Sequence, residues 1–412
     1  MWSGKTFAII GAGQSGGWTA KTLRDEGFEG RIILFGDEPY PPYERPPLSK
    51  EVLLGDQPVE STYLWPEDSY DEWNVEMRLD TRVASISPAD HGLTLANGET
   101  VAYDKLMIAT GGRARPLPVA GADLDGVHYL RAISDTVAIR AGIAAAISGG
   151  SKIFVVGGGW IGLEVAAAAR KQGADVTLVE ALDQLCGRAL TPEFAARLLK
   201  IHLDHGVDIR LNTSIDHFEG DGALARAVLS DGETIDCATA VIGIGLIANT
   251  ELAADAGLET DNGIVVDEFG RSSDPDIFAA GDVTNHPNEL LGRRIRLESW
   301  ENAQNQAIAA AKAMLDKGEA YSEVPWFWSD QYDVNIQLVG LPEDCDQTIL
   351  RGDPDAPEFI EFYLKDGRID GAAAMNNPRD LRFTKRLIQT QKVVDPAQLA
   401  DPSVKLQTIL KG

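Results

Sequence analysis

Two glycine clusters carry the strongest chemical signal in the chain. Gly11-Ala12-Gly13-Gln14-Ser15-Gly16 and Gly157-Gly158-Gly159-Trp160-Ile161-Gly162 share the pattern Gly-x-Gly-x-x-Gly. Each follows a short apolar run, Thr6–Ile10 or Lys152–Val156, and Gly11, Gly13, Gly16 and Gly27 map onto Gly157, Gly159, Gly162 and Gly173 at one constant offset. The three glycines of such a loop do different work. The first permits a tight turn, the second lets the backbone approach a pyrophosphate, and the third lets the following helix pack closely on the strand. The helix N-terminus adds free N–H groups and a positive dipole end. One such loop is a weak signal, but two in register, each in a strand–turn–helix setting, point to a pair of dinucleotide-binding units.

Other residues complete that chemistry. Glu180 closes Thr177-Leu178-Val179-Glu180, where an acceptor for ribose hydroxyls belongs, and a carboxylate there repels a 2′-phosphate. Arg188 is close enough in sequence to work against that preference. In the first unit the matching position is Gly36; the role passes to Asp37, with Glu38 as the alternative. Asp282 follows Phe278-Ala279-Ala280-Gly281. A carboxylate at that strand end accepts hydroxyl donors, and a helix is expected after it with its N-terminus toward the ligand. Glu164 interrupts the apolar stretch 161–169, a costly place for a carboxylate without a partner, and Lys50 follows the stiff Pro46-Pro47 turn. The six histidines form no convincing ligand set. His202 and His205, one turn apart without a nearby cysteine or paired acid, are read as surface residues, and no metal site is expected.

The elements needed to hold these groups are legible as buried strands and turns. After each glycine loop a helix runs to Gly27 or Gly173 and leads to a second apolar strand, Arg31–Phe35 or Asp175–Val179. A strand ending in Ala109-Thr110-Gly111 precedes the second glycine loop, and one ending in Gly281-Asp282 follows it. That order implies nesting, with the second nucleotide domain inserted into the first. Beyond residue 322 the texture changes to short alternating strands (336–339, 359–364 and 371–375) and a closing helix at 381–391, the pattern of an α+β domain. The expected fold class is α/β: two nested Rossmann-like domains of the glutathione-reductase-like kind, plus an α+β C-terminal domain. The boundaries are 1–114 with 245–322, then 115–244, then 323–412.

Composition narrows the partners. Among 412 residues, 37 Lys and Arg face 63 Asp and Glu, a net charge of −26. That excess argues against nucleic acid and against an anionic membrane surface, both of which need clustered cations. The apolar run 153–169 holds Glu164 and four glycines and falls short of the ~20 residues a spanning helix needs, so no membrane segment is expected. Cys186, Cys237 and Cys345 are far apart and odd in number, which gives neither a disulfide framework nor a Cys-x-x-Cys pair and suits the cytoplasm.

Taken together, these residues resemble one family across the whole chain: the FAD-dependent, NADH-dependent ferredoxin reductases of bacterial oxygenase systems. The marks are the paired glycine loops, Pro42-Tyr43-Glu44-Arg45-Pro46-Pro47-Leu48-Ser49-Lys50, Ala109-Thr110-Gly111, Phe278-Ala279-Ala280-Gly281-Asp282, Glu298-Ser299-Trp300 and Trp326-Phe327-Trp328-Ser329-Asp330-Gln331. The resemblance implies FAD on the first nucleotide fold, held by Gly11, Gly13, Ser15, Gly16, Asp37, Arg45, Lys50, Val83, Thr110, Gly111, Arg131, Gly281, Asp282 and Trp300. It implies NADH on the second, held by Gly157, Gly159, Trp160, Ile161, Gly162, Glu180, Arg188 and Gly245. It also implies that Lys50 and Glu164 meet beside flavin N5 and support the reduced flavin. The implied reaction is hydride transfer from nicotinamide C4 to flavin N5, then single-electron delivery to a [2Fe–2S] ferredoxin that supplies a Rieske dioxygenase or a cytochrome P450 of aromatic hydrocarbon catabolism.

Rubredoxin reductases and NADH dehydrogenases or oxidases similar to apoptosis-inducing factor are the alternatives within the same superfamily. A disulfide reductase needs a redox cysteine pair that this chain lacks, and residues 40–55 hold no cysteine of the oxidase or peroxidase kind. From another class, a flavin-bearing signalling or scaffold protein of slow turnover fits the same folds. Oxygenase ferredoxins are themselves acidic, so the docking face must be locally basic. Candidates are Arg293, Arg294 and Arg296, with Arg379, Arg382, Lys385 and Arg386. The chain is expected to be a monomer or homodimer.

Overall fold

Phe7-Ala8-Ile9-Ile10 alternates between two faces and is buried throughout, as a central parallel strand must be. Thr6–Ile10 pairs in parallel with Arg31–Phe35 on one side and Lys105–Ile108 on the other. The five-stranded parallel sheet is completed by Val75–Arg78 beside the former and Ile277–Ala279 beside the latter. Phe7 and Ile9 pack with the helices Gln14–Asp25 and Trp300–Met314 through Ala20, Leu23, Ala307 and Ala311. Ala8 and Ile10 pack on the other face with Ile86, Leu93, Leu95 and Ile264. Residues 2–411 are described by the computed structural model, and they divide into two compact units. This sheet belongs to the first unit, residues 1–44, 62–113 and 247–327.

The second unit comprises residues 45–61, 114–246 and 328–412. Its seven-stranded sheet has the parallel order Asp208–Arg210, Asp175–Val179, Lys152–Val156, Thr234–Ile242, Val127–Tyr129. Thr234–Ile242 is long enough to serve two neighbours. Its first residues pair antiparallel with Ala223–Leu229, which in turn pairs with Ile215–Asp221. From Trp328 onward the same unit holds the C-terminal antiparallel sheet, in the order Trp326–Gln331, Val334–Gly340, Arg368–Met375, Phe359–Lys365, Gln347–Gly352. The helix Pro378–Thr390 lies against it. Arg351, 6% exposed, binds Asp380 at 3.0 Å, Asp401 O at 2.6 Å and Val404 O at 2.8 Å, which ties down the C-terminal segment.

The nested order read from the sequence is present: strands 105–108 and 277–279 of the first sheet flank the second nucleotide fold in the chain. One expected element is absent. After Asp282 the chain continues into the strand Thr284–Asn288, not a helix: Thr284 N–H donates to Gly281 O at 3.0 Å, closing a turn, and Thr284 and Asn285 pair in parallel with Ile264 and Val265. The next helix starts at Trp300. Two C-terminal strands, Trp326–Gln331 and Gln347–Gly352, also went unread, since polar residues interrupt their apolar pattern.

Candidate active site

In the first unit the glycine loop does what its spacing requires. Gly11 has φ +111°, and a Cβ there would stand 2.3 Å from Ala109 O. A Cβ on Gly16 would stand 1.9 Å from Gly11 O, so helix and turn touch only because both positions lack side chains. Gly13 differs: nothing lies within 4 Å of its missing Cβ. It leaves a cradle beside the free N–H groups that begin the helix Gln14–Asp25. The Ser15 hydroxyl donates inward to Ala303 O at 2.8 Å, so at the loop Ser15 offers its backbone N–H.

Neighbouring segments close around this loop. Gln14 donates to Trp300 O at 2.9 Å, and a Cβ on Gly281 (φ +86°) would meet Ser15 Oγ at 2.3 Å. Thr110 and Asn249 exchange hydrogen bonds, Thr110 Oγ1 to Asn249 O at 2.8 Å and Asn249 Nδ2 to Thr110 O at 2.9 Å, which pins Thr110-Gly111 beside Gly11. Burial pushes the Glu44 carboxyl above the usual range, a shift that the nearby Trp300 side chain opposes. Asp37 is exposed at the end of Arg31–Phe35, whereas Glu38 accepts the Tyr43 hydroxyl at 2.7 Å. Val83 is 4% exposed and packs in the core beside its strand partner Leu95. Asp282 is half-buried.

The loop in the second unit repeats the geometry. Gly157 has φ +105° and a Cβ there would stand 2.4 Å from Gly243 O, while a Cβ on Gly162 would stand 2.0 Å from Gly157 O. Gly159 again faces open space, its nearest neighbour 4.0 Å away. Glu180 anchors the loop, accepting from Gly158 N at 2.6 Å and Leu182 N at 2.9 Å. A carboxylate has about four lone-pair sites, so capacity for ribose hydroxyls is left. Trp160 and Ile161 open the helix Trp160–Lys171, Ile161 exposed. Arg188 and Arg115 each reach within 3.9 Å of the place where a side chain on Gly245 would begin. Arg115 went unread in the sequence, hidden in a Pro-rich linker. The Arg45 guanidinium donates to Arg131 O, which brings those two arginines together.

The most confined chemistry in this unit is at Glu164. Lys50, at the junction of the turn Pro46–Ser49 and the helix Glu51–Leu54, places Nζ 2.8 Å from Glu164 Oε2. The Ser49 hydroxyl donates to the same oxygen, and Ser329 Oγ donates to Oε1 at 2.6 Å. Ser329 in turn accepts from Gln331 Nε2 at 3.0 Å, and Gln331 Oε1 lies 2.7 Å from His202 Nε2. His202 is therefore no surface residue: it is fully buried in the helix Pro192–Asp204, and only His205 is exposed. The reading by spacing failed because the partner, Gln331, is distant in sequence. Burial draws the His202 imidazole down to about 4.

Two family models together match nearly the whole chain. The pyridine nucleotide-disulphide oxidoreductase family model matches residues 5–307, and the reductase C-terminal model matches residues 326–410. The chain belongs to the pyridine nucleotide-disulphide oxidoreductase family. Within that family it is 42% identical to the ferredoxin–NAD(+) reductase component of the anthranilate 1,2-dioxygenase system of Burkholderia cepacia, over 99% of this chain and 100% of the relative. It is 39% identical to putidaredoxin reductase of Pseudomonas putida, over 98% and 96%. Among solved structures it is similar to the covalent putidaredoxin reductase–putidaredoxin complex, with a TM-score of 0.95, 37% identity and 99% of each chain covered.

Proteins of the pyridine nucleotide-disulphide oxidoreductase family use FAD and NAD(H), and the two open glycine cradles fit them. The disulfide chemistry in the family's name has no residues to carry it. Cys186, Cys237 and Cys345 are all free, and the first two are buried. Burial pushes the Cys186 thiol up and raises Cys237 to about 12, the opposite of what a reactive thiolate needs. No group of three or more His, Cys, Asp or Glu side chains among the described residues is arranged to hold a metal ion. No helix among them is long and apolar enough to cross a membrane.

Proposed function

We propose that this chain is an NADH-dependent ferredoxin reductase, passing electrons from NADH through FAD to a [2Fe–2S] ferredoxin that supplies an oxygenase. The observation that carries the reading is the pair of open cradles at Gly13 and Gly159, each on a strand–turn–helix, in a chain without a cysteine pair. Bound FAD supplies the capacity to take two electrons from NADH and release them singly. The chain's own residues bind and orient. Residues 1–114 with 245–322 form the FAD domain, where Gly13 and the first N–H groups of Gln14–Asp25 hold the pyrophosphate and Asp37 the ribose. Residues 115–244 form the NADH domain, where Gly159 and Glu180 take the same roles. Arg131, whose backbone oxygen accepts from the Arg45 guanidinium, is the charge partner proposed for the FAD pyrophosphate. The Lys50–Glu164 pair supports charge on the reduced flavin, with the ammonium held by a buried partner.

Residues 323–412 form the C-terminal domain and contribute to ferredoxin docking. The helix Pro378–Thr390 buries Leu381, Thr384, Leu387 and Ile388 and turns Arg379, Arg382 and Arg386 outward, with Lys385 half-exposed on the same side. That basic stripe suits an acidic ferredoxin despite the net charge of −26. The arginines at 293–296 are weaker candidates. Arg294 spends its guanidinium on Asn285 and Val266 O, and Arg296 on Glu298 and Asn262. A free, exposed Cys345 suits a reducing compartment such as the cytoplasm. Steady-state NADH oxidation with cytochrome c, with and without an oxygenase ferredoxin, tests the reading. Stimulation by ferredoxin that weakens with salt supports it, and fast turnover with oxygen alone contradicts it.

A further inference from the structure

The bonds around Glu164 run in one direction, and the direction is forced from one end. A carboxylate paired with an ammonium 2.8 Å away accepts hydrogen bonds and donates none. Ser329 has a single hydroxyl proton and gives it to Glu164 Oε1 at 2.6 Å, so toward Gln331 it can only accept. Gln331 must then present its amide N–H to Ser329 at 3.0 Å and its oxygen to His202 at 2.7 Å. An amide oxygen carries no proton, so His202 must hold its hydrogen on Nε2. All three side chains are buried, at 0%, 1% and 0% exposure for Ser329, Gln331 and His202. On the far side of the ring, the Tyr332 hydroxyl stands 3.5 Å from Nδ1, too far to set the tautomer by itself.

We propose that Ser329 and Gln331 are positioning residues for Glu164, and that a one-way row of hydrogen bonds, His202 to Gln331 to Ser329 to Glu164, holds the carboxylate against Lys50. The inference rests on the reading above, in which that pair serves the flavin. Each member is satisfied only while the others keep their orientation, and in a buried setting such rows polarise and reinforce one another. Glu164 itself sits on the helix Trp160–Lys171, whereas the row comes from Trp326–Gln331 and Pro192–Asp204. A residue of the C-terminal segment thus orients a carboxylate of the nucleotide fold. Polar side chains that merely filled a core would show no energetic tie to Glu164.

The test uses the full-length, FAD-loaded protein with 15N-labelled histidine, and the variants Ser329→Ala, Ser329→Thr, Glu164→Gln and Ser329→Ala/Glu164→Gln. NMR is expected to show His202 neutral with its hydrogen on Nε2 at neutral pH. In stopped flow, Ser329→Ala is expected to slow the limiting rate of FAD reduction by about tenfold, the weight of one hydrogen bond to a charged group, with the apparent affinity for NADH unchanged. Ser329→Thr, which keeps the hydroxyl, restores the rate. The double variant is no slower than Glu164→Gln alone, because Ser329 acts through Glu164. A His202 hydrogen on Nδ1, or single-variant losses that multiply in the double variant, overturns the proposal. If Glu164→Gln is slow but Ser329→Ala is not, the Lys50–Glu164 reading stands and the row is overturned. If Glu164→Gln itself reduces at the wild-type rate, the reading of the pair fails and the row falls with it.

Discussion

Lys50 Nζ lies 2.8 Å from Glu164 Oε2, and the two side chains are only 11% and 3% exposed. Burying both charges carries a large desolvation cost that good geometry and the Ser49 and Ser329 hydroxyls offset. Such a pair is a poor way to gain stability and a good way to keep a fixed charge in a dry place.

Removing one partner strands the other. Glu164→Ala is expected to destabilise the protein by about 3–5 kcal/mol, the cost of leaving a buried charge uncompensated. The neutral pair Lys50→Met/Glu164→Gln recovers most of that loss in denaturant midpoint. It does not recover chemistry: NADH reduces the bound FAD at least about tenfold more slowly, a barrier change of about 1.4 kcal/mol. Recovery of both stability and rate in the double variant contradicts the assigned role.

The glycines of one loop separate folding from binding. Gly13 has an ordinary φ of −90° and open space at its missing Cβ, so Gly13→Ala folds with an apoprotein melting point near that of wild type. Its methyl group occupies the cradle, and FAD affinity falls by about tenfold or more. Gly16→Ala drives a Cβ to 1.9 Å from Gly11 O and destabilises the apoprotein itself, by about 1–3 kcal/mol or more. Apoprotein melting and FAD titration distinguish the two, and equal FAD affinity for Gly13→Ala and wild type counts against the cradle.

In the proposed reading Glu180 sets the nucleotide preference, and Arg188 and Arg115, both near Gly245, are the cations that work against it. Glu180→Gln keeps the side-chain shape and removes the charge that repels a 2′-phosphate. The ratio of kcat/KM for NADH over NADPH is expected to shrink by about tenfold, roughly 1.4 kcal/mol of discrimination. A ratio that stays fixed shows that discrimination lies elsewhere.

Acid sensitivity follows from two buried imidazoles. His202 and His286 are both drawn down to about 4 by burial, with Arg294 adding to the effect on His286. Neither ring nitrogen of His286 has a hydrogen-bond partner among the described residues. The unfolded chain binds these protons near pH 6.5 and the folded chain only near 4. Their contribution is complete above about pH 6.5 and is lost as pH falls toward 4, at up to about 1.4 kcal/mol per pH unit for each. His202→Gln or His286→Gln is therefore expected to flatten the fall in unfolding free energy between pH 6.5 and 4.5. Curves parallel to wild type in both variants contradict this.

What could be read without coordinates was whatever depends on local spacing. Gly11, Gly13 and Gly16, and their counterparts at 157, 159 and 162, are constrained by contacts within a single strand–turn–helix, so type and interval alone expose them. The costly placement of Glu164 inside an apolar helix was visible for the same reason. Ser49, Ser329, Gln331 and His202 were not, because each is an ordinary polar residue whose meaning comes from a partner far along the chain. The helix expected after Asp282 failed in a similar way. The strand Thr284–Asn288 exists because it pairs with Ile264–Val265 and Arg293–Ile295, and no local propensity announces that pairing.

The central claim is that this chain carries electrons from NADH to a ferredoxin through bound FAD. It is tested most directly by mixing the purified protein anaerobically with NADH, then with an oxidised [2Fe–2S] ferredoxin, while recording visible absorbance. The account predicts a yellow protein whose flavin absorbance bleaches on adding NADH and returns as the ferredoxin spectrum changes to its reduced form. A folded protein that stays colourless after incubation with FAD, or one that NADH bleaches but ferredoxin does not reoxidise, contradicts it.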